Sequence, residues 1–179
     1  MMIGGIAFET PPMVDDAKPA NEKTVFALYN SRNEALSKTE TVSTPYVLYF
    51  NETLRGLNVG AQVLLLGLPI GEVTAVGLEY DRKTNTVRPR VDIVIYPKRT
   101  MAYAKKFSKL EDREHTKKER FDFVQKAVDR GMRAQLRSGN IMTGQRYVDF
   151  ENFPNMPKVK IDWTKSPVEL PVVPSGMQD

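Results

Sequence analysis

Four glycines, Gly56, Gly60, Gly67 and Gly71, cut the middle of the chain into short β-rich pieces. They fall in Leu54-Arg-Gly-Leu-Asn-Val-Gly-Ala-Gln-Val63 and in Gly67-Leu-Pro-Ile-Gly-Glu-Val73. A residue without a Cβ is needed where a chain turns tightly or passes close to another backbone. Glycines at this spacing, between apolar strand formers, describe a sheet that makes sharp corners. No other feature of the sequence limits the fold as much.

The surrounding pattern agrees. Tyr46 to Phe50, Gln62 to Leu66, Glu72 to Tyr80 and Thr86 to Tyr96 read as strands, separated by Gly, Pro and Asp-rich breaks. In the last of these, Val91, Ile93 and Ile95 share one face by alternation, and Asp92 and Val94 take the other. Asp81-Arg-Lys-Thr-Asn85 is a polar turn that makes a hairpin. Residues 97–120 are crowded with charge, from Lys98 to Arg120, and read as an exposed insertion or a solvated helix. Phe121, Val124, Val128 and Met132 then fall near helical spacing, with Ala127 beside them and Gly131 at the end. Ala134 to Arg137 and Gln145 to Phe150 are the later strands. The order predicts a mainly β fold: a small barrel of about seven strands, one amphipathic helix and a charged insertion. Closing a barrel disposes of exposed strand edges, and parallel β/α repetition does not fit.

The ends differ in texture. Pro11, Pro12 and Pro19 mark a linker over 11–45, with a short strand at Thr24 to Tyr29 and a brief helix after Ser31. From 154 to 179 the chain is Pro-rich, with Trp163, Pro167, Pro171 and Pro174. This C-terminal extension is expected to run over the surface with little fold of its own.

Chemistry is sparse. The chain has no cysteine, which excludes disulfides and thiolate ligands or nucleophiles. Its one histidine, His115, lies in the charged insertion without a second His or Cys, and reads as solvent-facing. No GxSxG, Walker loop or HExxH occurs. No catalytic residue, metal or cofactor is expected, and the chain does not read as an enzyme. The net charge is +4, with bases interleaved among nearly as many acids. Tyr46, Tyr49, Phe50 and the basic insertion motivate an alternative, a nucleic-acid-binding barrel. A purely structural spacer barrel is a further alternative. No stretch approaches the roughly 18 to 20 apolar residues that span a bilayer.

One loop is out of character. Ser138-Gly-Asn-Ile-Met-Thr-Gly144 places Ile141 and Met142 at a loop tip between two strands. Loops normally carry polar residues, so an apolar tip needs burial. Either it folds back on its own barrel, or several copies meet around an axis.

The glycine pattern at 56–73 resembles the signature of the MCE (mammalian cell entry) domain family. Tyr46-Val-Leu-Tyr-Phe-Asn-Glu, Gly131-Met-Arg-Ala-Gln-Leu-Arg-Ser-Gly-Asn, Thr143-Gly-Gln-Arg-Tyr-Val-Asp-Phe and Glu169-Leu-Pro-Val-Val-Pro-Ser extend the resemblance to multi-domain members. It implies an MCE barrel over 46–153 and, at 1–10, the end of a preceding MCE domain. It implies a homohexameric ring with an apolar central pore that passes phospholipid between inner and outer membranes. Pore lining then falls on Ile141 and Met142, with Gly139 and Gly144 as loop hinges and Gly56, Gly60, Gly67 and Gly71 as signature glycines. The implied setting is the periplasm, tethered to the inner membrane by a segment absent from this chain. The implied partners are lipid, other copies and membrane proteins of the transport system, with no nucleic acid.

Overall fold

The fold was derived from a computed structural model. It describes residues 19, 21–25, 28, 42–82, 84–105, 116–140 and 144–177. The chain divides into two units, Met1–Thr41 and Val42–Asp179. In the first, Thr24 closes a turn onto the Asn21 carbonyl, and Thr24, Val25 and Leu28 lie outside any strand. The helix expected after Ser31 lies outside the described residues, as does the segment read as the end of a preceding domain.

The second unit is built on one seven-stranded sheet. Its strands are β1 (Thr44–Tyr49), β2 (Gln62–Leu65), β3 (Leu68–Asp81), β4 (Thr86–Ile95), β5 (Met132–Asn140), β6 (Gln145–Asn152) and β7 (Val168–Glu169). They lie in the order β5-β6-β2-β3-β4-β1-β7. The pairings are antiparallel except β1 with β7 and β2 with β6. Followed around the sheet, these directions send β1, β3, β5 and β7 toward the same mouth.

Alternation places the core. Tyr46, Leu48 and Phe50 point inward from β1, Val91 and Ile93 from β4, and Leu136, Val148 and Phe150 from β5 and β6. With Val63, Ile70 and Val73 they fill the interior, as expected of a barrel of this strand number. Asp92 faces outward, as its place in the alternation predicts, and pairs with Arg90 at 2.9 Å.

The sheet is closed by the part of the chain expected to lie on the surface. After β7, the Pro171 carbonyl accepts from the Ala134 N–H at 3.0 Å, and Val173 N–H donates to Ala134 O at 2.9 Å. This parallel bridge between Val172 and Ala134 joins the last strand to the first. Ile161, Val168, Leu170 and Val173 are all buried. The surface expectation for 154–179 therefore fails. Pro171 lacks an N–H, but the seam uses only its carbonyl, so proline does not disqualify it.

Two helices complete the unit, α1 (Pro97–Lys105) and α2 (Lys117–Asp129). Both reach into the stretch read as a charged insertion, and 106–115, with His115, lies outside the described residues. Helix α2 starts four residues before its first apolar position, Phe121, because Thr116 and Glu119 form a capping box. Gly131 ends it at φ +106. Its apolar stripe packs as core: Val128 is buried and Val124 rests on the cluster. Phe121 stacks on Trp163, with ring centroids 4.2 Å apart. Gln125 donates to Val159 O at 2.9 Å and accepts from Ile161 N–H at 3.0 Å, so it binds the tail as a strand would. Arg133 is buried and gives its guanidinium to the carbonyls of Val128, Met132 and Pro157. Burial draws its pKa below the ordinary value.

Candidate functional site

The site is the barrel mouth where β5 turns into β6. Ile141 and Met142, the expected pore residues, lie outside the described residues, but both ends of their loop are visible. Gly144 has φ +64, a left-handed conformation that favours glycine, and Gly139 packs beside the Tyr147 ring. Gly56 approaches from the other side. A Cβ there would stand 2.1 Å from the Gly144 carbonyl oxygen, and φ is +87. Gly56 and Gly144 thus form one contact, made by two backbones.

Arg146 fixes the base of the loop. Its N–H donates to Gly56 O at 2.9 Å, continuing a parallel bridge with Leu57. Its guanidinium donates to Thr53 O at 2.8 Å and meets the Glu52 carboxylate at 3.4 Å. Glu52 also accepts from the Ser175 N–H at 2.8 Å and from Ser175 Oγ at 2.6 Å. One carboxylate thereby joins the loop base to the tail that closes the barrel. Gln135, wholly buried, holds the same tail by donating to Pro174 O at 2.5 Å and Met177 O at 2.9 Å.

Removing the Glu52 carboxylate tests this link. Glu52→Ala is expected to cost about 1–2 kcal/mol, the worth of charge-assisted hydrogen bonds that are partly exposed. Amide exchange at Ser175 should accelerate about tenfold. Unchanged exchange there would mean that Glu52 does not hold the tail.

The other signature glycines serve the wall. At Gly71 a Cβ would stand 2.0 Å from Val94 O, so glycine permits the close β3–β4 pairing. Gly60 and Gly67 adopt φ +81 and +80 in turns with open space around them. Two of the aromatics behind the nucleic-acid alternative are core: Tyr46 and Phe50 are buried. Tyr49 donates to Glu79 at 2.6 Å, and the Arg88 guanidinium lies 4.2 Å over its ring. Burial, with Glu79 beside it, pushes the Tyr49 phenol up to about 12. No free stacking platform remains on β1. Among the described residues, no group of three or more His, Asp or Glu side chains gathers as a metal site would require.

Residues 42–153 match the family model described as MlaD protein. The chain belongs to the MlaD family. This agrees with the MCE resemblance read from the glycine spacing. Among solved structures, the chain is similar to one in the Acinetobacter MlaFEDB complex in an ATP-bound Vtrans1 conformation. Identity is 13%, 76% of each chain is covered, and the TM-score is 0.40. The MlaD match stops at Phe153, before the β7 segment that closes this barrel.

The link between Glu52, Arg146 and Ser175 escaped the sequence reading, although each residue lies in a stretch that carries the family resemblance. Glu52 stands 94 positions from Arg146 and 123 from Ser175. No local pattern links such residues. The one local signal was the basic Arg146 two positions after Gly144.

Proposed function

We propose that this MlaD-family chain is a lipid-transport module of the bacterial envelope, and that six copies form a ring around an apolar pore. The carrying observation is a filled barrel with Gly139 and Gly144, the ends of a loop that is apolar in sequence, at its mouth. Side chains occupy the interior from Tyr46 to Phe150, leaving no bore for an acyl chain within one copy. A passage must then lie between copies. The loop leaves the mouth on Gly139 and Gly144, its base held by Gly56, Arg146 and Glu52. Ile141 and Met142 lie at its tip in sequence. Gathered around an axis, such tips line a passage that solvates lipid tails without any catalytic group.

The sequence resemblance at 46–52, 131–140, 143–150 and 169–175 narrows the reading to a protein like paraquat-inducible protein B, an intermembrane transport protein. In this reading the module stands in the periplasm, held at the inner membrane. Its partners are lipid, its own copies, and membrane proteins at either end. It requires no cofactor and binds no nucleic acid, a reading supported by the burial of Tyr46 and Phe50.

Photocrosslinking tests the pore. A photoreactive residue at 141 or 142 should capture phospholipid, and one at exposed Phe123 on α2 should not. Lipid capture confined to the outer face of the barrel would leave a spacer, and the pore reading would fall.

A further inference from the structure

We infer that the overhanging β3–β4 hairpin is the arm by which one copy of this chain holds the next, its apolar face seated on that second copy. The inference rests on the ring reading above and names a surface that would build the ring.

The hairpin outruns the barrel. β1 ends opposite Arg90, with a last bond from Phe50 N–H to Pro89 O at 3.1 Å. β2 pairs with β3 only from Leu68 to Glu72. Yet β3 and β4 stay in register through Glu79↔Arg88, Tyr80↔Val87 and Asp81↔Thr86. This overhang projects at the same mouth as the 139–144 loop, because β1, β3 and β5 all end there.

Its two faces differ. Val76 and Val91 pair on the inward face, with Val91 in the core. Alternation carries that face outward through Leu78↔Pro89 and Tyr80↔Val87. There the barrel has ended, and among the described residues only the Asn85 side chain meets this face, at the Tyr80 hydroxyl: Leu78 is 73% exposed, Tyr80 55% and Val87 57%. The reverse face is tied down. Glu79 accepts from Tyr49 at 2.6 Å and Arg90 at 2.7 Å, Arg88 lies 3.6 Å from Glu79, and Arg90 also holds Asp92. A core-like surface on a braced support loses little freedom on docking.

Three observations select a second copy as the occupant. First, the tip carries Asp81, Arg82, Thr84, Asn85 and Thr86, so the apolar residues lie along a face and not at an end that could enter a bilayer. Second, the arm stands at the mouth where the ring reading needs copies to meet. Third, the area fits. Side chains of this size, more than half exposed, present about 300–400 Å² of apolar surface. A stable pair needs roughly 800 Å² per partner. One arm is too small to hold an isolated dimer. In a closed ring every copy gives one arm and receives another, and the contacts reinforce one another.

A benzophenone amino acid placed at Tyr80 tests the arm in a mixture of ¹⁴N- and ¹⁵N-labelled chains. Mixed-isotope crosslinked pairs are expected from position 80 and not from Phe123. Leu78→Glu should raise the concentration for half-assembly about tenfold or more, with an unchanged melting temperature because the side chain is exposed. Leu78→Met should assemble normally. If rings form but position 80 labels only its own chain, the arm is refuted and the ring reading stands. Crosslinks from position 80 to lipid would overturn the choice of occupant. A chain that stays monomeric at every concentration tested, by native mass spectrometry, overturns both readings.

Discussion

A chain ended at Phe153, where the MlaD match stops, should fail to unfold cooperatively in urea. The deletion removes Ile161, Val168, Leu170 and Val173, all buried, together with both hydrogen bonds of the Ala134 seam. Burying a side chain of this kind contributes about 1.5–3 kcal/mol, so the four together approach the roughly 5–15 kcal/mol that holds a whole domain. The loss does not end there. Arg133 would lose the Pro157 carbonyl and Gln135 both tail carbonyls, leaving buried donors without partners. Circular dichroism during a urea titration distinguishes the outcomes. A sharp two-state transition in the truncated chain would mean that the tail decorates the barrel and does not complete it.

The second large effect is expected at Gly56. Gly56→Ala places a methyl group 2.1 Å from the Gly144 carbonyl oxygen, at a backbone angle of φ +87. The destabilisation should reach about 3 kcal/mol or more. Gly60 is a matched control: its φ is +81, and the space around it is open. Gly60→Ala should therefore cost only about 1–2 kcal/mol, for the backbone conformation alone. The difference between the two urea midpoints isolates the close approach at the loop base. Equal midpoints would mean that the 139–144 loop retreats freely from Gly56, and that the contact does not set its position.

Much of the wall was legible because a buried sheet face imposes a period of two. Alternation alone put Val91 and Ile93 on one face and Asp92 on the other; the first two are buried, and Asp92 pairs with Arg90 on the outer face. The same rule, applied to β1, separates Tyr46 and Phe50 from Tyr49 and weakens a base-stacking surface that composition had suggested. The start of α2 was missed because charge density from Lys117 to Arg120 outweighed the Thr116–Glu119 capping box. The tail was missed for a different reason. β7 has only two residues between Pro167 and Pro171, too short for alternation to register. What holds it is supplied from elsewhere: a carbonyl at Pro171, a bridge to Ala134 and the side chain of Gln125. At the mouth, Gly56 and Gly144 were singled out in sequence, because glycine reports a backbone need directly, and positive φ at both accords with that need. The Glu52 link was not singled out, because an ion pair across 94 positions leaves no mark on local spacing.

The seam at Ala134 has a consequence for how the protein is made. A ribosome delivers the chain from its N-terminus, so β1 through β6 emerge before residues 168–173. During that interval the sheet is an open curl, with β5 exposed at one border and β1 at the other. Such borders are where nascent β proteins recruit wrong neighbours. Synthesis of residues 168–173 is therefore the step at which this barrel becomes safe from its own siblings, and crowding of young chains before that step is its period of risk.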